Sequence, residues 1–137
     1  MSIYEQITSY LGKLTPGHWQ QPKNQGDGSA EHPYIACWID YDETTEEFIS
    51  KMYEVVPNGG KDYGEVLREI NQKYGDDYYK VDISKLNGDM ILYMMFAVIR
   101  GERFCEGIIS KYIEKGTMDK WLTRLKELDE KYGNQNR

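Results

Sequence analysis

Ten consecutive residues, Met90 to Ile99, read Met-Ile-Leu-Tyr-Met-Met-Phe-Ala-Val-Ile and carry no charge. That is about half the roughly 20 residues a helix needs to cross a bilayer, so the run belongs inside a folded protein. Methionine, leucine and phenylalanine outnumber the β-branched residues in it, which predicts a helix over Met90 to Arg100 rather than a strand. A helix apolar on every side has no face to give to water, so other elements must enclose it. Asp89 is placed to cap it. Arg100 falls at its negative end, where a cation is favoured by roughly 0.3–1 kcal/mol, and Gly101 is a natural stop. The fold class expected is mainly α: a compact bundle of about six helices around the apolar helix 90–100.

The enclosing elements show themselves by period. Ile3, Ile7, Tyr10, Leu11 and Leu14 have helical spacing from Ser2 to Leu14, with Ser2 as a possible N-cap and Thr15-Pro16-Gly17 as the end. Phe48, Ile49, Met52, Tyr53 and Val56 line one face over Asp42 to Val56, where Thr44 and Glu47 have capping-box spacing. A third helix, Asp62 to Tyr74, follows the stop Pro57-Asn58-Gly59-Gly60 and ends at Gly75, a left-handed cap. A fifth, Arg103 to Lys115, would turn Phe104, Ile108, Ile109, Tyr112 and Ile113 inward. Thr117 can cap a sixth that shows Met118, Trp121, Leu122, Leu125, Leu128 and Tyr132 at three- and four-residue steps.

Between these, Gln20 to Glu31 is polar and glycine-containing and reads as a loop. Tyr34 to Ile39 is a short apolar run that period alone leaves between strand and connector. Tyr79, Val81 and Ile83 alternate with Lys80, Asp82 and Ser84, a weak strand signal. If both are extended, they can pair as a minor two-stranded ribbon. Neither a repeat nor an internal boundary is visible: 1–133 reads as a single helical domain and 134–137 as a flexible tail.

Charge and cysteine usage exclude several functions. The net charge is −6, and nucleic-acid affinity comes mainly from neutralising phosphates, so no nucleic-acid partner is expected. The charge is uneven. Residues 1–99 hold 8 basic and 16 acidic side chains, residues 100–137 hold 9 and 7. No signal peptide and no membrane span are visible, and Cys37 and Cys105 form no disulfide framework or zinc pattern. A reducing, cytoplasmic setting follows by default. His18 and His32 lack a third ligand at metal spacing, so neither a metal nor another cofactor is called for.

Chemistry concentrates after the apolar helix, in Arg100-Gly101-Glu102-Arg103-Phe104-Cys105-Glu106-Gly107. If this opens the fifth helix, Glu102 and Glu106 are one turn apart and Arg103 can pair with Glu106. A charged hinge fixing the angle between two helices is the first reading. The second makes Arg100 and Arg103 a fork for a phosphate or carboxylate, oriented by Glu106 and Tyr112. Acid catalysis by either glutamate is disfavoured, because two guanidinium groups keep both ionised. Cys105 lacks a neighbouring base and reads as a packed thiol.

Twelve tyrosines suit a small core closed by amphipathic rings, or a recognition surface. Trp19, Tyr34, Trp38 and Tyr41 are the candidate partner-binding residues. The function expected is a non-enzymatic protein-interaction domain, in the manner of an inhibitor or accessory protein of bacterial or phage origin. It would have a protein partner or a homo-oligomeric state. The alternative is a small-ligand binder that recognises an anion through Arg100 and Arg103.

The segments Ile99-Arg100-Gly101-Glu102-Arg103-Phe104-Cys105-Glu106-Gly107, Ile113-Glu114-Lys115-Gly116-Thr117-Met118 and Trp121-Leu122-Thr123-Arg124-Leu125 together resemble a bacterial domain family of unknown function. The resemblance covers residues 85–128 well, Tyr53-Glu54 loosely and the first 30 residues poorly. It implies a small helical cytoplasmic protein, sometimes encoded near mobile elements, and supplies no activity or catalytic residue.

Overall fold

The computed structural model describes residues 4–21, 26–33, 37–75 and 77–132. The expectations at Ser2, Ile3, Tyr34 and the 134–137 tail lie outside them. In chain order the elements are α1 (Glu5–Thr8), β1 (His18–Gln20), β2 (Trp38–Asp40), α2 (Glu43–Val55), α3 (Tyr63–Tyr74), α4 (Gly88–Gly101), α5 (Ile108–Glu114) and α6 (Thr117–Tyr132), with short 3₁₀ turns at Pro57–Gly60 and Ile83–Lys85. The mainly helical bundle read from the sequence is the fold observed.

The apolar run is the centre. Ile91, Leu92, Tyr93, Met94, Met95, Phe96, Val98 and Ile99 of α4 are all buried, and α2, α3, α5 and α6 all pack against that helix. Its start is capped by Asn87, whose side chain accepts from the Met90 amide at 2.9 Å, and not by Asp89. The cap of α2 also moves toward the N-terminus. Asp42 accepts from the Thr45 amide at 2.8 Å, which puts Thr44 inside the helix. In both cases the capping oxygen belongs to the residue that still has extended backbone, which is what capping geometry requires.

The first helix is much shorter than its apolar spacing suggests. After Thr8 the amides of Tyr10, Leu11 and Lys13 bond three residues back, and Gly12 takes φ 77. That backbone cannot continue a right-handed helix. Ile7 and Leu14 nevertheless reach the core as expected. The segment is held by tertiary bonds: the Tyr4 amide to buried Asp129 on α6 at 3.0 Å, the Gly12 amide to Asp119 at 3.3 Å, and the Thr15 hydroxyl to Asp42 at 2.7 Å. At the other end of the third helix, Gly75 adopts φ 89, ψ 170, outside the left-handed helical well expected of it.

A two-stranded antiparallel ribbon is present, with different strands from those expected. β2 overlaps the Tyr34–Ile39 run, but its partner is His18–Gln20, paired Trp19 to Ile39 and Gln20 to Trp38. Residues 79–82 instead form turn and coil, and Val81 and Ile83 are buried there without a ladder. Alternation of apolar residues is satisfied by any segment that lies across a core, so it does not by itself name a strand partner.

Ring contacts close the bundle edges. Phe96 meets Tyr53 and Tyr63 edge-on at 5.2 and 5.5 Å. Tyr79 stacks on Tyr112 at 4.2 Å, and Tyr112 tilts onto Trp121. The Tyr93 hydroxyl donates to Asp62 at 2.5 Å and ties α4 to the start of α3. Burial, and then that carboxylate, push the Tyr93 phenol from 10.0 to about 12.

Two outcomes follow. Met95 is fully buried, so Met95→Ala is expected to lower the unfolding free energy by about 2–5 kcal/mol in urea titration, while exposed Lys120→Ala changes it by less than about 0.5 kcal/mol. The raised Tyr93 pKa means that the folded chain keeps a proton the unfolded chain loses. Its stabilising contribution is full below pH 10.0 and is lost as pH rises toward about 12. Unfolding free energies measured across that window should fall less steeply in Tyr93→Phe than in the wild type.

Candidate functional site

The charged junction is not the opening of a helix. After Gly101 the chain makes a tight turn, with the Phe104 and Cys105 amides both bonding the Gly101 carbonyl at 3.0 and 2.8 Å. Gly107 then takes φ 95, ψ −2, and α5 starts only at Ile108. The expected Arg103–Lys115 helix is therefore about half its length. The left-handed Gly107 allows the turn, and a carboxylate inside it holds it.

That carboxylate is Glu102. Its Oε2 accepts from the Gly107 amide at 2.7 Å, and its Oε1 accepts from the Ile109 amide at 3.0 Å and the Tyr41 hydroxyl at 3.0 Å. The Tyr41 oxygen in turn accepts from the Ser110 amide at 3.1 Å. The first turn of α5 leaves amides without helical partners, and an anion there is favoured by the helix dipole. Burial, and then the Glu102 charge, push the Tyr41 phenol well above its ordinary value, so it stays a donor.

The same junction docks the ribbon. Glu106 accepts from the Ile39 amide at 3.3 Å, and the Gly17 amide donates to buried Ser110 Oγ at 3.0 Å. The Trp19 ring lies directly over Gly107, where an added Cβ would come within 2.7 Å of Cζ2. Glycine at 107 is thus required twice, by its positive φ and by this approach.

The four residues expected to share an anion are dispersed. Arg103 is exposed and lines a groove of about 430 Å³ with Tyr41, Glu46, Ile49, Tyr53, Ile99, Glu102 and Ile109. Arg100 instead lies over the Tyr63 and Phe96 rings, 5.3 and 5.8 Å from their centres. Glu106 faces Ile39. Tyr112 is buried between Tyr79 and Trp121, and burial pushes its phenol up. The expected Arg103–Glu106 ion pair does not form: the ion pairs among the described residues are Lys51–Glu54 and Lys80–Asp77. Of the expected partner-binding residues, Trp19 and Trp38 are exposed and Tyr41 is half-buried in the Glu102 network.

Phe104 was expected to face inward and is 90% exposed. Charge spacing places it on a helix that starts only at Ile108, and its position between Gly101 and Gly107 is the sequence signal for a turn. Cys105, expected as a packed thiol, is exposed, as is Cys37. Among the described residues no three His, Cys, Asp or Glu side chains are grouped to hold a metal. None of the helices in them is long and apolar enough to cross a membrane.

The sequence profile of a family of unknown function, DUF6508, matches residues 3–131. The chain belongs to this family. The DUF6508 match takes in the N-terminal segment as well as the C-terminal half. No curated protein and no solved structure matches the chain.

The Glu102 network predicts a specific loss. Glu102→Ala removes the acceptor of three donors and should lower the unfolding free energy by about 1.5–3 kcal/mol in urea titration. Glu102→Gln, with one acceptor oxygen where two are used, should recover only part of it.

Proposed function

We propose that this chain is a non-enzymatic protein-interaction domain whose contact surface is the junction turn with the ribbon docked on it. The observation that carries this reading is Phe104, 90% exposed on a turn that is hydrogen-bonded and buttressed. An ordered chain presents a large apolar ring to water at a cost unless something covers it, and rigid aromatic residues are the usual anchors of protein interfaces. Trp19, 55% exposed, packs against the same turn. Trp38 stands on the opposite face of the ribbon, since it pairs with Gln20 and its neighbour Ile39 points to the body.

An inhibitor or accessory protein acts by such a surface, through occupation and without turnover. Recognition of a small anion by Arg100 and Arg103 together is the weaker reading, because Arg100 is laid over two rings away from the groove that Arg103 lines.

Phe104→Ser is expected to leave the unfolding free energy within about 0.5 kcal/mol of wild type, as surface changes do, and to abolish capture of the partner. Affinity capture with both proteins side by side, read by mass spectrometry, checks this. Equal capture by wild type and Phe104→Ser would remove the interaction surface from this face.

A further inference from the structure

Beside the projecting Phe104 ring is the groove that its neighbour Arg103 lines. The groove has a floor of Ile49, Ile99 and Ile109 and walls from the Tyr41 and Tyr53 rings. Ile99 and Ile109 are buried at its base, and Tyr53 is 41% exposed at its side. A space of about 430 Å³ is ample for one phenyl ring, and it is apolar where such a ring would sit. Phe104 does not fill it in its own chain, being almost wholly exposed.

We propose that the partner is a second copy of this chain, in a two-fold dimer in which Phe104 of each protomer enters the groove of the other. This rests on the junction being an interaction surface and names what covers it. A two-fold contact is self-complementary: whatever residue one copy offers, it must also receive. Projection and recess must therefore lie side by side on one protomer. Arg103 places them so, adjoining Phe104 in the chain and lining the groove with its side chain.

Charge argues for the same occupant. Arg103 and Glu46 both line the groove, and neither has an ion-pair partner among the described residues. When Phe104 is inserted, the adjoining guanidinium is carried to the second copy's groove, which Glu46 and Glu102 line beside its own Arg103. The two-fold axis makes that approach twice. An unrelated protein would need its own ring and its own recess to fill the groove and cover Phe104. A second copy already carries ring, recess and both charges. The net charge of −6 opposes self-association over long range, but salt screens that repulsion beyond about 8–10 Å.

The test is the mass of the untagged protein in solution, by sedimentation velocity over a concentration series. Wild type is expected to shift from monomer to dimer as concentration rises, and Phe104→Ser to remain monomeric with an unchanged melting temperature. Arg103→Glu and Glu46→Arg should each weaken the dimer by about tenfold or more, since each sets like charges together. The double variant, with the charges exchanged, should restore it. A wild type that is monomeric throughout, a dimer indifferent to Phe104→Ser, or a double variant no better than its parents would each overturn the proposal. A monomeric wild type that still captures another protein through Phe104 ends the second copy and leaves the junction surface standing. Loss of both would end both.

Discussion

From Ile91 to Ile99 every face of α4 is apolar, and water can therefore be given none of them. Burying the helix takes α2, α3, α5 and α6 around its circumference, and the surrounding sequence is arranged to supply one apolar stripe from each. Phe48 and Met52 come from α2, Ile70 from α3, Ile109 and Tyr112 from α5, and Met118, Trp121, Leu122 and Leu125 from α6. The outer helices can stay polar on their far sides because the central one is not. That division explains how a chain of modest apolar content, 39%, holds a continuous core.

A fully enclosed helix must also leave the core, and its exit governs the rest. The chain turns back sharply after Gly101 so that α5 can return against α4, and a sharp return exposes helix-terminal amides. Glu102 meets them. Its position is favourable twice, since a carboxylate suits the positive end of α5 and the Tyr41 hydroxyl, just past β2, completes the set. One side chain thus joins the end of α4, the start of α5 and the segment leading into α2. The junction forms the turn between α4 and α5, and its glutamates accept from backbone amides and do not pair with its arginines.

This arrangement also accounts for what the junction leaves outside. With both glutamates committed to backbone, Arg103 has no ion-pair partner among the described residues, and Phe104 lies outside the core. The fold therefore explains why Phe104 and Arg103 are left on the surface at this end.

The fold class was legible because burial follows from composition and period, which are local properties of the chain. Met90–Ile99 announced a central helix, and the stripes of α2, α3 and α6 announced their inner faces. Less legible were the places where a neighbour distant in sequence decides the outcome. Asp42 and Asn87 cap their helices in place of Thr44 and Asp89, because capping depends on which residue is still extended. His18–Gln20 takes β2 in place of residues 79–83, because Glu106 and Gly107 hold the ribbon on that side. The six residues after Gly101 look helical by charge spacing alone; they become a turn because Glu102, reaching forward to Gly107 and Ile109, stabilises an alternative that spacing cannot express. By itself, then, the sequence determined which helices form and which of their faces are dry, since hydrophobic period acts within each segment. Only the tertiary structure decided where Phe104, Arg103 and Tyr41 stand, since their positions depend on hydrogen bonds between segments as many as 69 residues apart.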